Sequence, residues 1–346
     1  MSGAANKPQD AAVLQVRELV TEFGSGPSAR RAVDGVSFSL RRGEVLGLVG
    51  ESGSGKSVTA LSLLRLIDRQ AGRVSGGEIL FDGRDLRTAP DAQMRRIRGR
   101  EMSMVFQEPL SALNPCYTVG DQIAEVFVAH GDGAGAATRA RVLELLSLVR
   151  IPDPVGILRR YPHELSGGMR QRVMIAMALA YAPKVLIADE PTTALDVTTQ
   201  AQVLDLIDGL RRELGVAVLL ITHDMGVVAQ YTDRVAVMYA GRIVETGEVG
   251  EVFRRPRHPY TEGLLASVPR LGQRWREGVQ RLAEIPGSVP GIGVIRQGCR
   301  FEPRCARAEA RCAGAVPPLL SDADGHASAC WVTSAPADAA PTKEPA

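Results

Sequence analysis

The sequence predicts an α/β fold with a mostly parallel sheet, and two kinds of segment carry that expectation. Residues 45–49, 185–188 and 216–222 are apolar runs of strand length, and each is bounded by turn signals or charge. Between them lie residues 58–67, 168–181 and 198–214, whose apolar spacing suits helices. A strand returned to the same sheet through a helix pairs in parallel with its neighbour, because a crossover carries the chain back to the starting end.

The elements follow in order. Residues 1–12 are polar and read as a disordered N-terminus, and residues 13–49 alternate apolar stretches with turns such as Phe23-Gly24-Ser25-Gly26-Pro27. The buried strand at 45–49 runs into Gly50-Glu51-Ser52-Gly53-Ser54-Gly55-Lys56-Ser57 and then a helix that starts near Val58. Residues 91–150 are more polar and helical in pattern, broken by a Gly/Ala loop at 131–137, so a helical subdomain is expected over about 91–180. Past Arg254 proline and arginine become frequent, which sets a boundary between a domain at 13–253 and an extension at 254–333. The tail 334–346 is rich in Ala and Pro and reads as disordered.

Composition limits the partners. The 41 Lys+Arg nearly balance 39 Asp+Glu, for a net charge of +2, so no global field recommends a nucleic acid. Residues 1–10 contain no apolar stretch of the signal-peptide kind, and secretion is not expected. The longest apolar segment, 173–182, is about half of the ~20 residues that span a bilayer, so membrane association should be peripheral. In a reducing compartment the five cysteines should be thiols or metal ligands.

Gly50 to Ser57 fits the pattern of a glycine, four residues, then Gly-Lys-Ser. Its N–H groups and the following helix N-terminus form a nest for phosphate oxygens. Lys56 would neutralise β- and γ-phosphate charge, Ser57 would set its hydroxyl on magnesium, and Val58 opens the helix. The strand at 185–188 ends in Asp189-Glu190, where ligands gather at the carboxyl ends of strands. Asp189 is suited to hold magnesium and Glu190 to polarise an attacking water.

Leu165-Ser166-Gly167-Gly168-Met169-Arg170-Gln171-Arg172, just ahead of Asp189-Glu190, resembles the signature motif of the ATP-binding-cassette superfamily. The resemblance spans about residues 13–330. It implies a P-loop NTPase cassette with a mostly parallel core sheet, a small antiparallel β subdomain, a helical subdomain and a Cys-containing C-terminal extension. Ser166, Gly167, Gly168 and Gln171 would then serve the ATP of an opposite protomer. Gln107 resembles the glutamine that touches magnesium and links to the transmembrane partner, Asp196 the loop aspartate at the dimer interface, and His223 the switch histidine that senses γ-phosphate. Phe23 matches the aromatic that stacks on adenine, with a strand-core role as the alternative. ATP and Mg2+ are the implied ligands, and Glu190 with His223 the catalytic pair.

Finer features, Glu108-Pro109-Leu110-Ser111-Ala112-Leu113-Asn114-Pro115 and Arg257-His258-Pro259-Tyr260-Thr261, resemble the oligopeptide/dipeptide importer branch, which includes some nickel importers. Residues 165–180 look more like its D-type ATPase. The implied assembly has two permeases, a second, F-type ATPase (a homodimer being the alternative) and an external solute-binding protein, with this chain on the cytoplasmic face of the membrane. Cys299, Cys305, Cys312 and Cys330 are separated by five, six and seventeen residues, and four thiolates can hold zinc or an iron–sulfur cluster. The resemblance favours a 4Fe-4S cluster. Two other readings remain at this stage. One is a soluble cassette ATPase on nucleic acid or ribosomes, kept open by Arg95-Arg96-Ile97-Arg98-Gly99-Arg100; the other is a nucleotide sensor without turnover, which would need neither Glu190 nor His223.

Overall fold

The structure, a computed structural model, describes residues 12–68, 70–193, 195–268, 284–291 and 297–333. The segments expected to be disordered, 1–12 and 334–346, lie outside these apart from Ala12. In chain order the strands are β1 (Ala12–Phe23), β2 (Arg30–Arg41), β3 (Val45–Val49), β4 (Gly72–Phe81), β5 (Arg84–Asp85), β6 (Met102–Val105), β7 (Val185–Asp189), β8 (Ala217–Thr222), β9 (Arg234–Tyr239), β10 (Arg242–Glu248), β11 (Leu320–Ser321) and β12 (Ala327–Ser328).

They form two sheets. The order β2-β1-β4-β5 is antiparallel, and the main sheet runs β11-β12-β10-β9-β3-β8-β7-β6. Its centre, β9-β3-β8-β7-β6, is parallel throughout. Central strands are apolar on both faces because both are covered. Along β7, Val185 and Ile187 enter the core shared with the antiparallel sheet, while Leu186 and Ala188 enter the core under the helices.

The helices are α1 (Lys56–Leu63), α2 (Asp91–Ile97), α3 (Pro109–Ala112), α4 (Val119–Ala129), α5 (Ala136–Leu148), α6 (Pro154–Ile157), α7 (Gly167–Ala178), α8 (Val197–Leu214), α9 (Met225–Tyr231), α10 (Val249–Arg254) and α11 (Pro259–Ala266). Helix α8 follows directly from its sequence. The Asp196 carboxylate accepts the Thr199 N–H at 3.0 Å to cap the start, and Gly215 at φ 67 closes the end. Val203, Leu206, Ile207 and Leu210 recur at helical spacing and are buried, while Arg211 and Arg212 complement the negative end of the dipole. In the helical insertion, Val119, Ile123 and Phe127 of α4 form one stripe against Val142, Leu145 and Leu146 of α5 and Val173 of α7.

The structure departs from the expectation at one place. Residues 102–105, within the stretch read as helical, form β6, which pairs in parallel with β7 from Met102–Val185 to Val105–Ala188. Four residues, Met102-Ser103-Met104-Val105, are too few to show a periodicity that could separate strand from helix. The extension beyond Arg254 is joined to the cassette's main sheet. β12 pairs with β10 through Glu245–Ser328 and Thr246–Ala327, and Phe301 packs with Tyr239 and Tyr260 at ring-centre distances of 5.2 and 5.4 Å.

Candidate nucleotide site

Strand β3 ends at Val49, and the chain must turn at once to deliver Lys56 to the start of α1. Two glycines make that turn possible. Gly50 has φ 156, and a Cβ there would lie 2.1 Å from the Met238 carbonyl oxygen; Gly55 has φ 103, and a Cβ would meet the Ala32 carbonyl oxygen at 2.6 Å. The Gly241 N–H donates to the Ser54 carbonyl at 2.8 Å, tying the loop to the β9–β10 turn. Lys56 is 5% exposed and donates to the carbonyls of Gly50 at 2.7 Å and Glu51 at 3.1 Å. Burial lowers its pKa, opposed by Glu190, Asp189 and Glu51.

Asp189, the last residue of β7, accepts the Ser57 hydroxyl at 3.1 Å. Its carboxyl is held above its ordinary range by burial and then by Glu190, against the Ser57 hydrogen bond and Lys56. A buried acid and a hydroxyl, both hard oxygen donors, fit a magnesium ion. Glu190 follows at φ 45, an unfavourable conformation for a non-glycine residue that turns its carboxylate off the strand end. Its Oε2 accepts Gln107 Nε2 at 3.1 Å and Thr193 Oγ1 at 3.0 Å, and His223 Nδ1 lies 3.3 Å from Oε1. Ala32, Ser52, Gly53, Gly55, Lys56, Ser57, Val58, Gln107 and Glu190 line one cleft of about 150 Å³.

The structure thus brings together the phosphate loop, Gln107, Asp189, Glu190 and His223. Thr193 and Ala32 join them without having been singled out; Thr193 stands three residues after Glu190, a spacing that could have drawn attention to it. Phe23 lies outside the cleft lining, at the end of β1, where its ring faces Gly72. The signature segment stands elsewhere on the chain. Ser166 caps α7 by accepting the Met169 N–H at 3.3 Å, and a Cβ on Gly168 would meet Thr199 Cγ2 at 2.6 Å, so this turn is packed against the start of α8 beside Asp196. Gln171 is 1% exposed, and its Nε2 has no hydrogen-bond partner among the described residues. Its side chain is buried within this chain.

Cys299 and Cys305 are half-buried, Cys312 and Cys330 buried, and Cys116 exposed. Burial, with smaller contributions from Cys312 and Cys330, pushes the Cys299 thiol up to about 11, and the same causes raise that of Cys305. The Cys299 N–H donates to the Cys312 carbonyl at 2.7 Å. Among the described residues no three His, Cys, Asp or Glu side chains gather into a site for a metal ion, and no helix is long and apolar enough to cross a membrane.

Comparison with known proteins agrees with this geometry. A family profile described as "ABC transporter" matches residues 33–193, and one described as "Oligopeptide/dipeptide transporter, C-terminal region" matches residues 244–312. A probable peptide ABC transporter ATP-binding protein of Sinorhizobium fredii is 52% identical over 326 residues, 94% of this chain and 96% of the relative. A putative peptide import ATP-binding protein of Brucella ovis is 51% identical over 326 residues, 92% of this chain and 96% of the relative. Among solved structures, a dimeric ATP-binding cassette in a post-hydrolysis state with ADP and Pi matches with TM-score 0.60 and 28% identity, covering 68% of this chain and 98% of that one. A cassette from Clostridium perfringens, part of an ABC transporter complex, matches with TM-score 0.59 and 30% identity, covering 71% and 92%. The chain belongs to the ABC transporter family, as an ATP-hydrolysing subunit that carries the oligopeptide/dipeptide transporter C-terminal region.

Proposed function

We propose that this chain powers a peptide importer from the cytoplasmic face of the membrane, hydrolysing ATP in a head-to-tail pair of cassettes with Glu190 as the general base. The observation that carries the reading is the convergence on Glu190 of Gln107, Thr193 and His223 beside the cleft that Lys56 and Ser57 line. The phosphate loop N–H groups and Lys56 cradle the phosphates. Ser57 and Asp189 would hold magnesium, which supplies positive charge between phosphate oxygens. Glu190 takes the proton of the attacking water, and His223 and Gln107 fix the orientation of its carboxylate. Positioning and charge stabilisation do most of the work in such a reaction.

Across the pair, Ser166, Gly167 and Gly168 at the α7 N-terminus would meet the partner's nucleotide, with Asp196 at the same interface. Val197, 84% exposed beside Asp196, supports an interface on this side. The exposed side chains of Phe106 and Tyr117, flanking the Gln107 loop, suit contact with a permease. The partner ATPase we take to be a related F-type chain, with this one as the D-type. Co-purification with the permeases tests that: one copy each of two ATPases is expected, and two copies of this chain alone would refute it. Peptide-stimulated ATPase activity of the reconstituted complex tests the substrate class.

Cys299, Cys305, Cys312 and Cys330 would hold a 4Fe-4S cluster as a structural staple. Four soft thiols suit iron–sulfur chemistry, and a cluster spreads its thiolates more widely than a single zinc ion does. Anaerobically purified protein should be brown and contain iron and acid-labile sulfide. Stoichiometric zinc with neither would refute the cluster.

A further inference from the structure

We propose that Arg304 and Tyr260, both from the segment beyond Arg254, are positioning residues for the phosphate loop and act through Glu51. The proposal rests on the reading of Gly50 to Ser57 as the phosphate site. Glu51 is gripped at two points. Arg304 Nη1 and Nη2 donate to its Oε2 and Oε1 at 2.7 and 3.0 Å, a bidentate fork. Tyr260 Oη accepts the Glu51 backbone N–H at 2.8 Å.

Both anchors are themselves immobilised. The Arg304 side chain is 5% exposed and donates through Nε to the Pro286 carbonyl at 2.7 Å. The Tyr260 ring is fully buried, 4.7 Å from Tyr239 and 5.4 Å from Phe301 between ring centres. From Glu51 the chain of contacts continues inward, since its carbonyl accepts Lys56 Nζ at 3.1 Å.

Two physical consequences follow. A glycine-rich loop must be ordered to present its N–H groups, and fixing Glu51 beforehand removes part of that entropic cost from binding. The Glu51 carboxylate would also repel a polyanion, and the Arg304 fork neutralises it. Neither residue reaches the cleft that Glu190 lines, so the effect should fall on nucleotide affinity and leave the chemical step alone.

The test is Mg2+–ATP binding to the full-length chain, with KM and kcat measured in the assembled transporter. Arg304→Gln should weaken ATP binding about tenfold with kcat within about twofold, and Tyr260→Phe, which keeps the ring, about threefold. The double variant Arg304→Gln/Glu51→Gln should be no worse than the weaker-binding single, because both remove one interaction. Arg304→Lys, which keeps the charge but not the fork, should fall between wild type and Arg304→Gln. Affinities within about twofold of wild type for both Arg304→Gln and Tyr260→Phe, or additive losses in the double variant, would overturn the proposal. Should Arg304→Gln not fold, Tyr260→Phe and Glu51→Gln carry the same comparison. Lys56→Ala separates the two levels: if it too kept normal ATP affinity, the phosphate-site reading itself would fail.

Discussion

Replacing Glu190 with glutamine keeps the shape of the side chain and removes its capacity to take a proton. In the structure Oε2 accepts Gln107 and Thr193 while Oε1 faces His223 Nδ1 at 3.3 Å. A glutamine can reproduce this pattern, its carbonyl oxygen accepting from Gln107 and Thr193 and its amide facing His223 Nδ1. The fold and ATP binding should therefore be untouched, with unfolding free energy within about 0.5 kcal/mol of wild type. Loss of a general base costs about 10²- to 10⁴-fold in rate, or roughly 3–5 kcal/mol in the barrier. The assay is phosphate release by the full transporter at saturating Mg2+–ATP, alongside nucleotide occupancy and the cassettes' closed state. Expected are a turnover at least about 100-fold lower and a trapped, ATP-loaded closed pair. Phosphate release within about threefold of wild type would refute Glu190 as the base, because no other change of this size is on offer from an isosteric substitution.

Other outcomes follow from single positions. Gly55→Ala places a Cβ 2.6 Å from the Ala32 carbonyl at φ 103, so we expect a loss of about 2–4 kcal/mol in urea unfolding together with weakened ATP binding; unaltered stability would contradict the turn geometry. Burial holds the His258 imidazole down at about 3, where its Nδ1 accepts the Tyr260 N–H. Its unfolded-state pKa is about 6.5, so the unfolded chain takes up a proton first as pH falls, and stability present at pH 7.5 should drop by about 1.4 kcal/mol at pH 5.5 from this group. His258→Asn keeps a capping acceptor without titrating, and its loss between those pH values should be smaller by about 1.4 kcal/mol; identical slopes would count against the assignment.

The parallel core and the chemistry at its edge were legible in the amino-acid order, since both reside in contiguous segments. A buried strand, a glycine loop and a helix written as 45–63 can hardly fold otherwise, because the glycines, the lysine and the helix start are fixed by spacing alone. Asp189-Glu190 was equally legible as two acids at the end of an apolar run. β6 was not, since four residues carry no periodicity, and its place beside β7 depends on parallel pairing across some eighty residues. Gln171 lay in a segment legible as helix, yet which face of α7 is buried is decided by its packing against the helices and the sheet around it. Only the tertiary structure could join Arg304 to Glu51, which lie 253 positions apart, or set β12 beside β10 so that the extension shares the cassette's core. Local spacing encodes what neighbouring residues do to one another, and contacts between distant segments depend on how the sheet order brings their ends together.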